Sequence, residues 1–400
     1  MITGTNAAET LLGTGGIDMI QALGGNDMVF AGADGDSVDG GGGSDLIFGG
    51  DGADTLFGNS AGDAITGEDG DDTIFGGDGH DLLVGGAGSD QIYGGDGNDF
   101  MAGGTGTDSL FGGDGIDVAS YASSSAGVTV DLSNTANNAG DAASDVYDAI
   151  EGAQGADDFS NILIGDAFDN RMIAGDAGDL VSGGGGADVI EGGAGDDTLR
   201  GDAGNDVLES NGGDDTLEGG SGDDVYYIDS IGDTVIESAG DGYDRVLATS
   251  SVVLDDNVEA ATALGTSGFN LTGNALANWL VGNSGGNMLD GGAGRDRLIA
   301  RAGDDTLDGG AGNDVLQGGT GADTFLFMAG SDLDLVLDFE DGTDLLDVSG
   351  WGASDIDDVR IFDLSNGNVM VTSEPIGGTD KIVLTTISAA DLSSSDFVFV

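Results

Sequence analysis

One apolar residue recurs every nine positions along most of this chain, set between small or polar neighbours. The first series runs Ile20, Val29, Val38, Ile47, Leu56, Ile65, Ile74, Leu83, Ile92, Met101, Leu110 and Ala119. Two residues before each member stands an aspartate: Asp18, Asp27, Asp36, Asp45, Asp54, Asp63, Asp72, Asp81, Asp90, Asp99, Asp108 and Asp117. Gly lies two residues before the aspartate except where Asp34 and Ala61 replace it, and the cleanest units read Gly-Gly-Asp-Gly-x-Asp, as at Gly76–Asp81, Gly94–Asp99 and Gly112–Asp117. A second series leads from Asn161 and Asn170 into Asp179, Asp188, Asp197, Asp206, Asp215 and Asp224. A third leads from Asn278 and Asn287 into Asp296, Asp305, Asp314 and Asp323.

This pattern predicts its own elements. The apolar residue and its two neighbours make a short strand with one side chain facing inward. The Gly-rich residues between strands make a turn, because Gly alone tolerates positive φ and close backbone approach without cost. One strand and one turn bury nothing by themselves. Two nonapeptides close a flattened coil, and coils stack into a solenoid whose strands lie about 4.8 Å apart. The expected fold class is all-β: a parallel solenoid of nonapeptide repeats in about three arrays.

Domain organisation follows from where the period holds. Arrays are expected at 1–119, 161–226 and 278–325, with spacers at 120–160 and 227–277 and a β-rich C-terminal cap at 326–400. Gly127–Leu132 reads as a longer strand inside the first spacer, and Asp233–Ile236 and Val252–Leu254 as short strands inside the second. A solenoid needs a cap over its last coil, and the apolar-rich Asp332–Phe339 and Gly342–Ser349 suit that task.

Composition then narrows the chemistry. The chain has 400 residues, 75 acidic and 8 basic, for a net charge of −67, with 81 Gly, one His and no Cys. Nucleic-acid binding requires a positive footprint, and attraction to an anionic membrane surface requires the same; neither is expected. Disulfides and Cys-based metal sites are excluded. No apolar run is long enough to span a bilayer as a helix, and the N-terminal residues lack the basic and apolar segments of an ordinary signal peptide.

Coil stacking places aspartates eighteen apart into columns, Asp18 to Asp108 in one and Asp27 to Asp117 in the other. Carboxylates one strand spacing apart repel unless a cation lies between them. Carboxylate and carbonyl oxygens suit a hard ion, and flexible turns that offer several oxygens favour Ca²⁺ over Mg²⁺.

These residues resemble the RTX (repeats-in-toxin, hemolysin-type calcium-binding) family, whose repeat is Gly-Gly-x-Gly-x-Asp-x-apolar-x. The resemblance implies a parallel β-roll with Ca²⁺ held between turns of adjacent coils by aspartate carboxylates and glycine carbonyls. Carried over, the metal ligands are Asp36, Asp45, Asp54, Asp63, Asp72, Asp81, Asp90, Asp99, Asp108 and Asp117; Asp179, Asp188, Asp197, Asp206, Asp215 and Asp224; and Asp296, Asp305, Asp314 and Asp323. With Asp18 and Asp27 counted as well, sixteen aspartate pairs lie eighteen apart, and sixteen Ca²⁺ would reduce −67 to −35. The turns around Asp18 and Asp27 carry Thr14 and Leu23 where Gly is expected, Asn59 and Ala61 precede Asp63, and Asn161 and Asn170 lack the carboxylate.

The C-terminal region resembles the cap of serralysin-like RTX proteins, and the ending Asp396-Phe-Val-Phe-Val400 resembles the uncleaved signal of type I secretion substrates. The resemblance implies a secreted bacterial protein, unfolded in low cytosolic calcium and folded outside, with a type I exporter as partner and a structural, adhesive or matrix role. Cell-surface glycans or further copies of the chain are candidate partners. A calcium-dependent secreted hydrolase, toxin or polysaccharide-modifying enzyme module, with catalysis that is unrecognised or separately encoded, is the alternative.

No catalysis is expected from the residues themselves. Gly58-Asn-Ser60-Ala-Gly62 and Gly282-Asn-Ser284-Gly-Gly286 match an esterase elbow, but that motif needs a strand-to-helix turn, and both fall within repeats. The sole His80 sits in a repeat turn. Phe57, Phe75, Tyr93 and Phe111 fall in one outward column, with Phe30 and Phe48 on the opposite sheet. They are read as a ladder that supports strand pairing, with a docking strip as the competing reading.

Overall fold

Each nonapeptide hands the chain from one sheet to the other, so neighbouring strands within a sheet are eighteen residues apart. The computed structural model describes residues 1–373, 380–385 and 387–400. They divide into two units, Met1–Asp215 and Thr216–Val400. Both are parallel β-rolls.

In the first unit, one sheet contains Ser37–Gly42, Thr55–Ser60, Thr73–Asp78, Gln91–Asp96 and Ser109–Asp114, all parallel. The facing sheet contains Met28–Ala33, Leu46–Asp51, Ala64–Asp69, Leu82–Gly88 and Phe100–Gly106. Register keeps the inward residues in line: Ile74 opposes Ile92, and Leu83 opposes Met101. Ile20, Val38, Leu56, Ile74, Ile92 and Leu110 are fully buried from one side, and Val29, Ile47, Leu83 and Met101 from the other. The core is therefore two facing apolar columns. Each buried aliphatic side chain contributes about 1.5–3 kcal/mol.

The strands are longer than the three residues that the apolar pattern predicts. Thr73–Asp78 and Gln91–Asp96 each run six residues, because the Gly turns also pair coil to coil: Gly77 opposes Gly95, and the Gly97 N–H donates to the Asp114 carbonyl at 2.7 Å. This stacking explains the glycines. At Gly97, φ is +143° and a Cβ would lie 1.5 Å from the Gly79 oxygen. The left-handed backbone persists where Gly is replaced, with φ of 78° at Leu23, 64° at Asp34, 78° at Asn59 and 79° at Ala61. Each such residue costs on the order of 1–2 kcal/mol, which the neighbouring coils must offset. Gly97→Ala is expected to destabilise the calcium-loaded fold by roughly 1–3 kcal/mol, read as a lowered thermal midpoint.

The first spacer forms one enlarged coil. Val118 pairs with Gly152, and Ser109 with Val146, so one sheet continues past the spacer while the other ends at Val146–Asp148. A further parallel sheet starts at Thr129–Asp131 and continues through Ile162–Ile164, Leu180–Gly185 and Thr198–Ala203. The strand expected over Gly127–Leu132 is limited to Thr129–Asp131, although Val128 and Leu132 on either side also hydrogen-bond to the neighbouring coil.

In the second unit, Val225–Ile228, Arg245–Ala248, Ala260–Ala263, Trp279–Val281, Arg297–Ala302, Val315–Thr320 and Leu333–Val336 stack in parallel. The second spacer thus continues the roll. The opposite sheet runs from Val252–Val253 through Asn270–Thr272, Met288–Asp290, Thr306–Asp308, Thr324–Leu326 and Leu345–Asp347 to Phe397–Val398. Lys381–Leu384 adds to Leu333–Val336, and the antiparallel strands Val369–Ser373 and Val359–Asp363 extend that edge. The C-terminal acidic-apolar motif is part of this end: Asp396 is buried and Phe397 packs as the last inward rung.

Candidate metal centre

The rung at Asp72 shows how the site is built. Its Oδ1 accepts the Asp54 N–H at 2.7 Å, which ties one coil to the previous one. Its Oδ2 is buried and has no hydrogen-bond donor. That oxygen faces the bare Cα of Gly67, where a Cβ would lie 2.1 Å from Asp72 Oδ2 and 2.7 Å from the Gly85 carbonyl oxygen. A carboxylate oxygen and a carbonyl oxygen therefore share a cradle that the absence of a side chain keeps open. The same arrangement joins Asp54 to Gly67, Asp63 to Gly76, Asp81 to Gly94, Asp90 to Gly103, Asp99 to Gly112 and Asp296 to Gly309.

All twenty aspartates expected as ligands are at most 5% exposed, which is foreign to solvated acidic residues. The Oδ2 atom is buried without a donor at every rung from Asp36 to Asp117, and at Asp179, Asp188, Asp197, Asp296, Asp305, Asp314 and Asp323. Asp27 shares this arrangement. Asp18 does not: its Oδ2 accepts the Thr14 N–H at 2.7 Å and the Thr14 hydroxyl at 2.8 Å.

A buried carboxylate oxygen without a donor is costly unless it is protonated or meets a cation. Burial pushes Asp63 and Asp90 up to about 7, and Asp72 and Asp81 up to about 6. Backbone N–H groups counteract part of this, and neighbouring carboxylates add to it. Asp188, Asp197 and Asp296 reach about 7 for the same first reason. An all-oxygen donor set of this kind fits Ca²⁺.

Several carboxylates outside the nonapeptide period join the columns. The Asp108 N–H donates to Asp145 Oδ1, Asp117 to Glu151, Asp224 to Asp244, Asp244 to Glu259, Asp314 to Asp334 and Asp323 to Asp344. Period counting missed them, because spacer insertions change the interval. The detectable signal was an acid two residues before a buried apolar residue, as in Asp334-Leu-Val336 and Asp344-Leu-Leu346. At Asp145 the second oxygen accepts the Tyr121 hydroxyl at 2.7 Å. Asp224, Glu237 and Asp244 bring carboxylate oxygens within 4.8 Å of one another, and burial pushes Glu237 up to about 7.

The aromatic columns are stacked ladders. Phe57, Phe75, Tyr93 and Phe111 follow one another at 4.6–4.8 Å with interplanar angles of 5–9°, and Phe30 stacks on Phe48 at 4.8 Å and 4°. Each inner ring has both faces covered by its neighbours, and face contact is what a sugar ring would need. Replacing Phe75 and Tyr93 with Ser removes three stacking contacts. The expected cost is about 2–4 kcal/mol, measured by calcium-loaded thermal denaturation, with surface adhesion unchanged. As for the elbow-like motifs, Ser60 ends the strand Thr55–Ser60, and His80 Nδ1 accepts the Asn98 N–H at 2.7 Å.

A repeat family model agrees with this reading. The family model for the RTX calcium-binding nonapeptide repeat (4 copies) matches residues 3–38, 30–65, 57–92, 84–119, 155–190, 191–226, 272–307 and 299–334. No curated protein matches. Among solved structures, the R3 subunit of the Azotobacter vinelandii mannuronan C5-epimerase AlgE6 is 29% identical, covering 36% of this chain and 86% of its own, with a TM-score of 0.25. The R2 subunit of the same enzyme is 28% identical, covering 34% of this chain and 92% of its own, with a TM-score of 0.27. The extracellular lipase LipA of Serratia marcescens is 20% identical, covering 60% of this chain and 45% of its own, with a TM-score of 0.24. With well over half of its residues matched by that repeat model, the chain belongs to the RTX calcium-binding nonapeptide repeat family.

Proposed function

We propose that the twenty repeat aspartates hold Ca²⁺ between successive coils, and that the chain is a secreted β-roll that folds on calcium outside the cell and serves a structural, adhesive or matrix role. The observation that carries this reading is the buried, donorless Oδ2 of Asp54, Asp63, Asp72, Asp81, Asp90, Asp99 and Asp296, each facing a backbone carbonyl across a glycine cradle. A fold made of such rungs is stable only where calcium is abundant, and external fluid supplies that condition while the cytosol does not. No helix of the described residues is long and apolar enough to cross a membrane.

Support for type I export comes from the acidic-apolar ending at Asp396–Val400, which the folded protein incorporates in its last rung. An exporter would read it only in the unfolded, calcium-free chain. Deleting Asp396–Val400 is expected to cut secretion through a type I exporter about tenfold or more, equivalent to about 1.4 kcal/mol or more in recognition, while whole-cell levels stay comparable. Unchanged secretion would remove the exporter from this proposal. A screen of the calcium-loaded chain against protease, lipase and polysaccharide substrates is expected to show no turnover; turnover would favour an enzyme module instead.

A further inference from the structure

Four rungs differ from the rest by one atom. Asn161, Asn170, Asn278 and Asn287 stand where the period places aspartate, at the start of the second and third arrays. They are as buried as their acidic neighbours, at 2–4% exposure. Their backbone N–H groups join the same columns, donating to Oδ1 of Asp179, Asp188, Asp296 and Asp305. Their side chains, however, are satisfied by hydrogen bonds.

At Asn161 the amide Nδ2 donates to the Ala174 carbonyl at 3.1 Å, and to those of Ala156 and Phe159 at 2.9 and 2.7 Å. Ala174 holds the place in the next coil that Gly85 holds for Asp72, so an N–H stands where the aspartate rung presents an oxygen. The other three share a second arrangement. Oδ1 turns into the glycine cradle and accepts the N–H of Asp166, Asn274 or Asn283 at 2.7–2.9 Å. Nδ2 donates to a carbonyl of the preceding coil: Glu151, Val258 or Phe269, at 2.8–3.0 Å. In both arrangements the rung is neutral, and its carbonyls and amides are paired without a cation.

We propose that these four asparagines are ion-free rungs, which lock the first coil of the second and third arrays on hydrogen bonds alone and give the calcium-dependent coils a preformed face to stack on. This rests on the calcium-ladder reading above. The placement has a physical reason. Each pair contributes one rung to each column directly after a spacer, where the preceding coil offers an irregular set of oxygens. A neutral amide adapts to such a set by donating, whereas an ionised carboxylate there would be compensated only by taking up a further ion.

Two measurements test the proposal on the full chain. First, native mass spectrometry in saturating calcium compares the wild type with Asn278→Asp/Asn287→Asp. The variant is expected to hold two more ions, because the pairs with Asp296 and Asp305 become carboxylate pairs; an unchanged count overturns the proposal. Second, hydrogen exchange of the wild type is followed as free calcium is lowered. Residues 161–178 and 278–295 are expected to lose protection at roughly tenfold lower free calcium than residues 179–214 and 296–325; simultaneous loss overturns the proposal while leaving the calcium ladder intact. If no coil loses protection when calcium is removed, the calcium-folding reading itself fails, and the ion count alone decides the asparagine assignment.

Discussion

Removal of calcium at pH 7.5 is expected to abolish most of the far-UV β signal of this chain, and calcium, but not an equal concentration of magnesium, should restore it. The physical reason is the spacing of the rungs. Ionised carboxylates one strand apart, about 4.8 Å, repel by roughly 3–4 kcal/mol per pair at an effective dielectric of about 20. A folded domain is stable by only about 5–15 kcal/mol in total, so a few uncompensated pairs exceed it. The first unit alone stacks eleven buried aspartates from Asp27 to Asp117. Magnesium prefers a tight octahedral, water-rich shell, which a dry cradle between a carboxylate and a carbonyl does not provide. A chelated sample that kept its full β signal at this pH would refute the argument.

The calcium-free chain is expected to regain structure on acidification, with the transition between about pH 7 and pH 4. The sign follows from linkage. Folding raises Asp63, Asp90, Asp188, Asp197 and Asp296 to about 7, mainly through burial, from an unfolded value of 3.8. The folded state therefore binds more protons than the unfolded state in this window, and stability falls as pH rises through it. A proton on Oδ2 supplies the donor that the rung otherwise lacks. With calcium present the dependence reverses, because protons compete with the ion for the same oxygen. The midpoint of a calcium titration should move to higher calcium as pH drops below 7. Circular dichroism against pH, in chelator and in calcium, checks both arms; a chelated sample that is less structured at pH 5 than at pH 8 would contradict the assignment.

The repeats were legible because their environment repeats. Asp72 sees above and below it what Asp90 sees, so one local rule gives both rungs the same burial, the same kind of N–H partner and the same glycine cradle. Leu23 and Ala61 show how strong that context is. Their sequence argues against a left-handed turn, yet φ stays near 78–79° at both, because the stacked coils on either side impose it. The extended strands of six residues were less legible: glycine turns carry no apolar pattern, and their pairing exists only between coils.

The amino-acid order alone determined the eighteen-residue coil, the two inward apolar columns and the aspartate rungs, since each depends on residues at a constant interval along the chain. Only the tertiary structure decided that Asp145, Asp244, Asp334 and Asp344 extend those columns, that Tyr121 supplies a hydroxyl to one of them, and that the asparagine amides donate to carbonyls of adjacent coils. Those contacts join residues whose separation varies with every insertion, and the direction in which an amide or hydroxyl points is set by whichever carbonyls and carboxylates the neighbouring coil brings within reach.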